Sequence, residues 1–196
     1  KQMMIVQPEY VRAESVAQEF NMSIEKEKRI HRKSVFNGHL VQVYLDEVQL
    51  AGKLAQREVV LHQDACAIIP VTADRQVLFV EQYRYAIEQV LLELPAGKVD
   101  FGEEADACAK RELEEETGYI GDLIPIGAVY TSPGFCNELI HLYIAKNLVK
   151  TKQHLDEGEF LNVVSIPLEE IWKLIKQGQI TDAKTLAAFT LAKEHL

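Results

Sequence analysis

The sequence predicts an α/β (α+β) domain preceded by a small antiparallel strand module. Three observations carry this. Residues 33–61 alternate apolar and polar positions with the period of half-buried strands. Short apolar runs of strand length recur through the rest of the chain. One glycine-bracketed helical segment, residues 97–118, interrupts them, and two further helical patterns close the chain.

The chain starts at Lys1, and Met22-Ser23 offers a natural start. Residues 1–21 read as an upstream extension or a cloning remnant, with a helical pattern over 10–20 and no function. Val41, Val43 and Leu45 alternate with polar neighbours, and Val48 and Leu50 continue the strand pattern. Ala51-Gly52-Lys53 is a turn, and residues 57–62 form another strand. Residues 65–71 and 77–83 read as a hairpin around Ala73-Asp74-Arg75. Residues 90–94 form a buried strand that ends at Pro95-Ala96, and Gly97 and Gly102 punctuate a short loop. A helix runs from Glu103 to about Thr117, with Gly118 as its C-terminal glycine. Residues 123–131, 139–148 and 160–166 are strand-like, and 168–176 and 183–195 are helical, the last capped by Asp182. The expected division is an extension over 1–32, a strand module over 33–61 and the main domain over 62–196.

Composition bounds the function. The chain has 196 residues, 47% of them hydrophobic, enough for one packed core plus a small appendage. No apolar run approaches the ~20 residues of a bilayer span, and no secretory signal is visible. A net charge of −9 disfavours nucleic acid and anionic membranes as partners. An anionic substrate must then be held by metal ions and local arginines. The cysteines at 66, 108 and 136 have no pairing or ligand spacing and read as free thiols of a cytoplasmic protein.

The chemistry concentrates in the helix. Residues 97–118 read GKVDFGEEADACAKRELEEETG, with glutamates at 103, 104, 112, 114, 115 and 116. Glu112, Glu115 and Glu116 fall within an arc of roughly 100° on one helix face. Ala105 and Cys108 lie on the same stripe and Ala109 and Leu113 flank it, so these carboxylates continue an inward-looking face. Like charges at this spacing repel, and a hard cation such as Mg²⁺ relieves them while bridging to substrate phosphates. Glu104, Lys110 and Glu114 fit the wet side. Glu103 either contacts the metal shell or braces the loop. Arg111 can pair with Glu115 and orient it.

Gly97, Glu103, Arg111-Glu112-Leu113, Glu115-Glu116 and Gly118, at these spacings, resemble the Nudix box; Tyr119 stands where an aliphatic residue is usual. The resemblance implies an α/β/α sandwich with a mixed sheet. It also implies hydrolysis of a nucleoside diphosphate linked to another moiety, with Mg²⁺ (Mn²⁺ as the alternative) on Glu112, Glu116 and the Ala96 carbonyl, and Glu103 added to that set.

Pro133, fifteen residues past Gly118, resembles the mark of the ADP-ribose pyrophosphatase branch. So do Arg57-Glu58, the 81–84 segment with Arg84, and Ile180-Thr181-Asp182-Ala183-Lys184-Thr185. The resemblance covers roughly residues 33–195 and implies that ADP-ribose is cleaved to AMP and ribose 5-phosphate. Arg57 and Arg84 are then the phosphate clamps, within a substrate-binding set that also holds Glu58, Pro133 and Glu138. The acidic loop Asp156-Glu157-Gly158-Glu159 matches the branch's base-bearing loop; Glu157 is taken as base and Glu159 as its metal-binding partner, with Glu115 a further catalytic carboxylate. The resemblance also implies a homodimer in which the strand module crosses to the partner, bringing residues 36–40 near its adenine site. Rival readings are another nucleotide sugar such as GDP-mannose, a dinucleotide polyphosphate, or a non-catalytic ligand sensor.

Overall fold

The structure, a computed structural model, describes residues 24–156 and 158–196. The helical pattern over 10–20 and Glu157 lie outside the described residues.

The N-terminal module is an antiparallel meander of β1 (Lys28–Asn37), β2 (Gln42–Leu50) and β3 (Lys53–Leu61). Its first strand begins upstream of residue 33. Leu50 pairs with Lys53 across a two-residue turn in which Ala51 (φ 50°) and Gly52 (φ 74°) are both left-handed. That turn matches the twist of a tight hairpin. Arg32 forks onto the buried Asp46 and stacks over Tyr44, its guanidinium carbon 4.5 Å from the ring centre.

The body begins with β4 (Ala65–Pro70), whose six residues are all buried. A strand covered on both faces needs an unbroken apolar run, and here its residues alternate between two cores. Ala65, Ala67 and Ile69 enter one cluster; Cys66 and Ile68 enter the other. β9 (Leu139–Lys150) lies parallel to β4 and alternates in the same way, with Ile140, Leu142 and Ile144 on one side and Tyr143 and Ala145 on the other. The mixed sheet runs β7 (Ala96–Lys98), β4, β9, β8 (Tyr119–Tyr130). Helix α1 (Ala105–Thr117) covers one face through Cys108, Ala109 and Leu113. On the other face lie α2 (Leu168–Lys176), α3 (Ala183–Ala192) and an antiparallel sheet of β10 (Leu161–Pro167), β5 (Gln76–Arg84) and β6 (Gln89–Glu93). Phe79 of β5 stacks on Phe189 of α3 at 5.9 Å, and Trp172 of α2 meets that ring edge-on. Helices on both faces of the mixed sheet give the expected α/β/α layering.

The expected hairpin over 65–83 is corrected. Its turn closes, with Thr72 N–H donating to the Gln76 carbonyl at 2.9 Å and Val71 bridging Val77. Beyond that single bridge β4 and β5 diverge into separate sheets. The expected loop at 97 also begins as strand: β7 pairs with β4 through Ala67↔Ala96 and Ala65↔Lys98. Helix α1 starts at Ala105 rather than Glu103, and α3 ends at Ala192 rather than His195.

Candidate active site

Helix α1 and β7 build the site together. Gly118 ends the helix in the left-handed conformation (φ 70°), its N–H bonded to the Glu114 carbonyl at 2.8 Å. Two residues earlier, Glu116 is buried and accepts the Ala96 N–H at 2.8 Å. Burial pushes its carboxyl up to about 8; the Ala96 N–H opposes this, and the charges of Glu112 and Glu159 add to it. Glu112 is also held above the usual carboxylate range, first by burial and then by Glu115 and Glu159, against the pull of Arg111. Both carboxyls thus resist ionisation, and a nearby positive charge would favour their charged forms.

Arg111 organises the neighbouring acids. Its Nη1 donates to Glu112 at 2.7 Å and to Glu115 at 2.9 Å, and its Nε and Nη2 fork onto Glu103, each at 3.0 Å. Nη2 also reaches the Lys98 carbonyl. Glu103 in turn accepts the Asp100 N–H at 3.0 Å, and Arg111 holds its carboxyl below the usual range. These contacts tie Glu103 to both the helix and the loop that precedes it.

A cavity of about 310 Å³ opens beside Glu116, lined also by Arg84, Ala96, Glu138, Glu159 and Lys184. Arg84 arrives from the end of β5 and forks onto Glu93 at 2.7 Å through both Nε and Nη2. Glu93 is 1% exposed and also pairs with Lys184. Burial raises the Glu93 carboxyl, but Arg84 and Lys184 more than cancel that and leave it below its ordinary value. Glu138 accepts from Thr131 Oγ1 at 2.8 Å and lies 3.3 Å from His62.

Arg57, Glu58 and Pro133 are placed elsewhere. They line a second opening of about 490 Å³ with Tyr130 and Phe135, and Arg57 pairs with Glu27. The two expected arginine clamps therefore line different cavities among the described residues. Sequence reasoning did not assign Glu93 or Lys184. The only signal was that Lys184 stands in the 180–185 segment and Glu93 directly precedes Leu94-Pro95.

Among the described residues no three His, Cys, Asp or Glu side chains are arranged to hold a metal ion by themselves. The donor chemistry nonetheless fits Mg²⁺. That ion seldom uses an all-protein cage; it takes one or two carboxylates, keeps waters and completes its shell with substrate phosphate. Glu112 and Glu116 would supply such a pair, and Gly97 leaves room for the Glu112 carboxylate, because a Cβ at residue 97 would overlap it.

The NUDIX domain model matches residues 61–189. The chain is 41% identical over 167 residues to an ADP-ribose pyrophosphatase of Bacillus subtilis (strain 168), covering 83% of this chain and 90% of that one. It is equally 41% identical over 167 residues, with the same coverage, to a methanol dehydrogenase activator of Bacillus methanolicus. A crystal structure of an ADP compounds hydrolase superposes with a TM-score of 0.81 at 24% identity, over 89% of this chain and 96% of that one, a likeness of fold. With the domain match spanning well over half of its length and the box glutamates gathered between α1 and β7, the chain belongs to the Nudix family of hydrolases.

Proposed function

We propose that the protein is a Mg²⁺-dependent pyrophosphohydrolase that cleaves ADP-ribose to AMP and ribose 5-phosphate. The observation that carries this reading is the meeting of the buried Glu116, Glu159 and Arg84 on one cavity beside β7. The name of the Bacillus subtilis relative supports the choice of substrate. Glu112 and Glu116 would hold the metal, with the Ala96 carbonyl beside them. When bound, the metal supplies the positive charge that lets water approach a diphosphate. Arg84 holds phosphate oxygens with the guanidinium edge that Glu93 does not occupy. Glu157 or Glu159 takes the proton from the attacking water. Arg57, Glu58 and Pro133 grip the rest of the substrate across a homodimer, in which their opening faces the partner's cavity.

The test is product analysis over ADP-ribose, GDP-mannose and diadenosine polyphosphates, with and without Mg²⁺. Equimolar AMP and ribose 5-phosphate, with kcat/KM highest for ADP-ribose, is expected. A tenfold preference for another nucleotide sugar moves the protein to a different branch, and activity unaffected by chelation removes the metal.

A further inference from the structure

We propose that Glu93 and Lys184 are positioning residues that set Arg84 as the phosphate clamp, Glu93 by fixing the guanidinium and Lys184 by sharing the Glu93 charge. The inference rests on the diphosphate reading above and deepens it. Glu93 engages Arg84 through Nε and Nη2, and Nη1 makes no hydrogen bond among the described residues. One guanidinium edge is thus locked while the other stays available on the cavity that Glu116 lines.

A lone Arg–Glu pair is neutral and offers a phosphate little attraction. Lys184 alters that balance. Its ammonium pairs with the same Glu93 carboxylate and lies 3.1 Å from Asp182 Oδ1. Asp182 is engaged at the start of α3, where its Oδ2 accepts from the Thr185 N–H at 3.0 Å and hydroxyl at 2.6 Å. The helix dipole favours an anion there. With the Asp182 charge partly offset by the helix N-terminus, Glu93 is divided between two cations, and Arg84 keeps more of its charge for the substrate. The Thr185 hydroxyl also accepts the Leu94 N–H at 3.0 Å, so the start of α3 is pinned to the strand end that leads into Ala96.

A purely structural role for this network and the clamp-setting role separate in a double-mutant cycle on the full chain with Mg²⁺. Lys184→Met, Lys184→Arg, Arg84→Ala and Arg84→Ala/Lys184→Met are assayed for kcat and KM on whichever diphosphate of the panel the parent hydrolyses. Lys184→Met is expected to raise KM about tenfold with kcat within a few-fold, and Lys184→Arg to restore most of it; in the Arg84→Ala background Lys184→Met should add less than about twofold. Equal penalties in both backgrounds, or an unchanged KM, overturn the proposal. Because Lys184→Met leaves a buried carboxylate with one partner fewer, Glu93→Gln/Lys184→Met, which buries no net charge, is the second variant. If it folds with a parental KM, the proposal also falls. A parent that hydrolyses none of the panel overturns the proposed function instead, whereas an active parent without coupling in the cycle overturns this inference alone.

Discussion

The Glu112 carboxylate lies where a side chain on residue 97 would have to begin: a Cβ built on Gly97 overlaps its carbon and both oxygens. Glycine is needed at 97 for this close approach, and the neighbour it admits is the flexible end of a side chain rather than backbone. Gly97→Ala should therefore leave the fold intact while pushing Glu112 off its position beside Arg111. Turnover at saturating Mg²⁺ is expected to fall by orders of magnitude with an unchanged circular dichroism spectrum. A Gly97→Ala variant with parental kcat would show that the Glu112 position does not matter for catalysis.

Glu116 predicts an unusual pH dependence. Its folded carboxyl is raised to about 8 by burial, far above an unfolded glutamate. The folded state therefore binds this proton more tightly, and the stability it contributes is fully present below the unfolded value. That stability is lost as pH rises through about 8. Without metal, the melting temperature should fall between roughly pH 5 and 8, and Glu116→Gln should flatten the slope. Added Mg²⁺ should stabilise the parent more at pH 8 than at pH 6, because metal and proton compete for the carboxylate. Glu116→Gln with near-normal turnover at saturating Mg²⁺ would sink the ligand assignment.

The strand module predicts a homodimer. Ile30, Val35, Phe36, Leu40 and Leu54 are all at least half exposed, an apolar surface that a lone three-stranded sheet leaves uncovered. Arg57 lines an opening apart from the Arg84 cavity, and a dimer that turned one toward the other would bring both clamps to a single diphosphate. Light scattering should give twice the chain mass at micromolar concentration. Mixing inactive Arg57→Ala with inactive Glu116→Gln should restore part of the activity through hybrid dimers. A fully active monomer removes the claim, together with any role for residues 36–40 in a partner's site.

Local periodicity made the centre of the site legible. Helical spacing alone sets Glu112 and Glu116 beside the buried Cys108 and Leu113, and it also pairs Arg111 with Glu115. What stayed hidden depends on distant partners. The turn at 72–76 has the same local chemistry whether its strands stay paired or part, and β4 parts because its neighbours are β7 and a parallel β9 some seventy residues away. β7 is three residues long and contains a glycine, too short a run to show alternation. The Arg84–Glu93–Lys184 group joins residues 91 positions apart, which no local pattern reveals. Arg57 and Arg84 look equivalent as strand-end arginines in the sequence, whereas in the folded chain Arg57 lies in the middle of β3 and Arg84 ends β5, on different cavities.

The remaining prediction is that the general base stands on the acidic loop, at Glu157 or Glu159. Glu159 lines the cavity with Glu116, and its charge raises both Glu112 and Glu116. Its backbone N–H donates to the Asp156 carbonyl at 3.0 Å, closing a tight turn around Gly158, which is left-handed at φ 89°. A left-handed glycine lets a short loop carry a carboxylate over a bound substrate. Loss of a base costs ~10²–10⁴ in rate with substrate binding largely kept. Glu157→Gln and Glu159→Gln should therefore differ: the base variant loses kcat by that range and loses the acidic limb of the pH–rate profile. The metal-side variant should instead need more Mg²⁺ for half-maximal rate. Should both variants stay within a few-fold of the parent across pH, the base is not on this loop, and Glu138, on the same cavity wall, is the next carboxylate to replace.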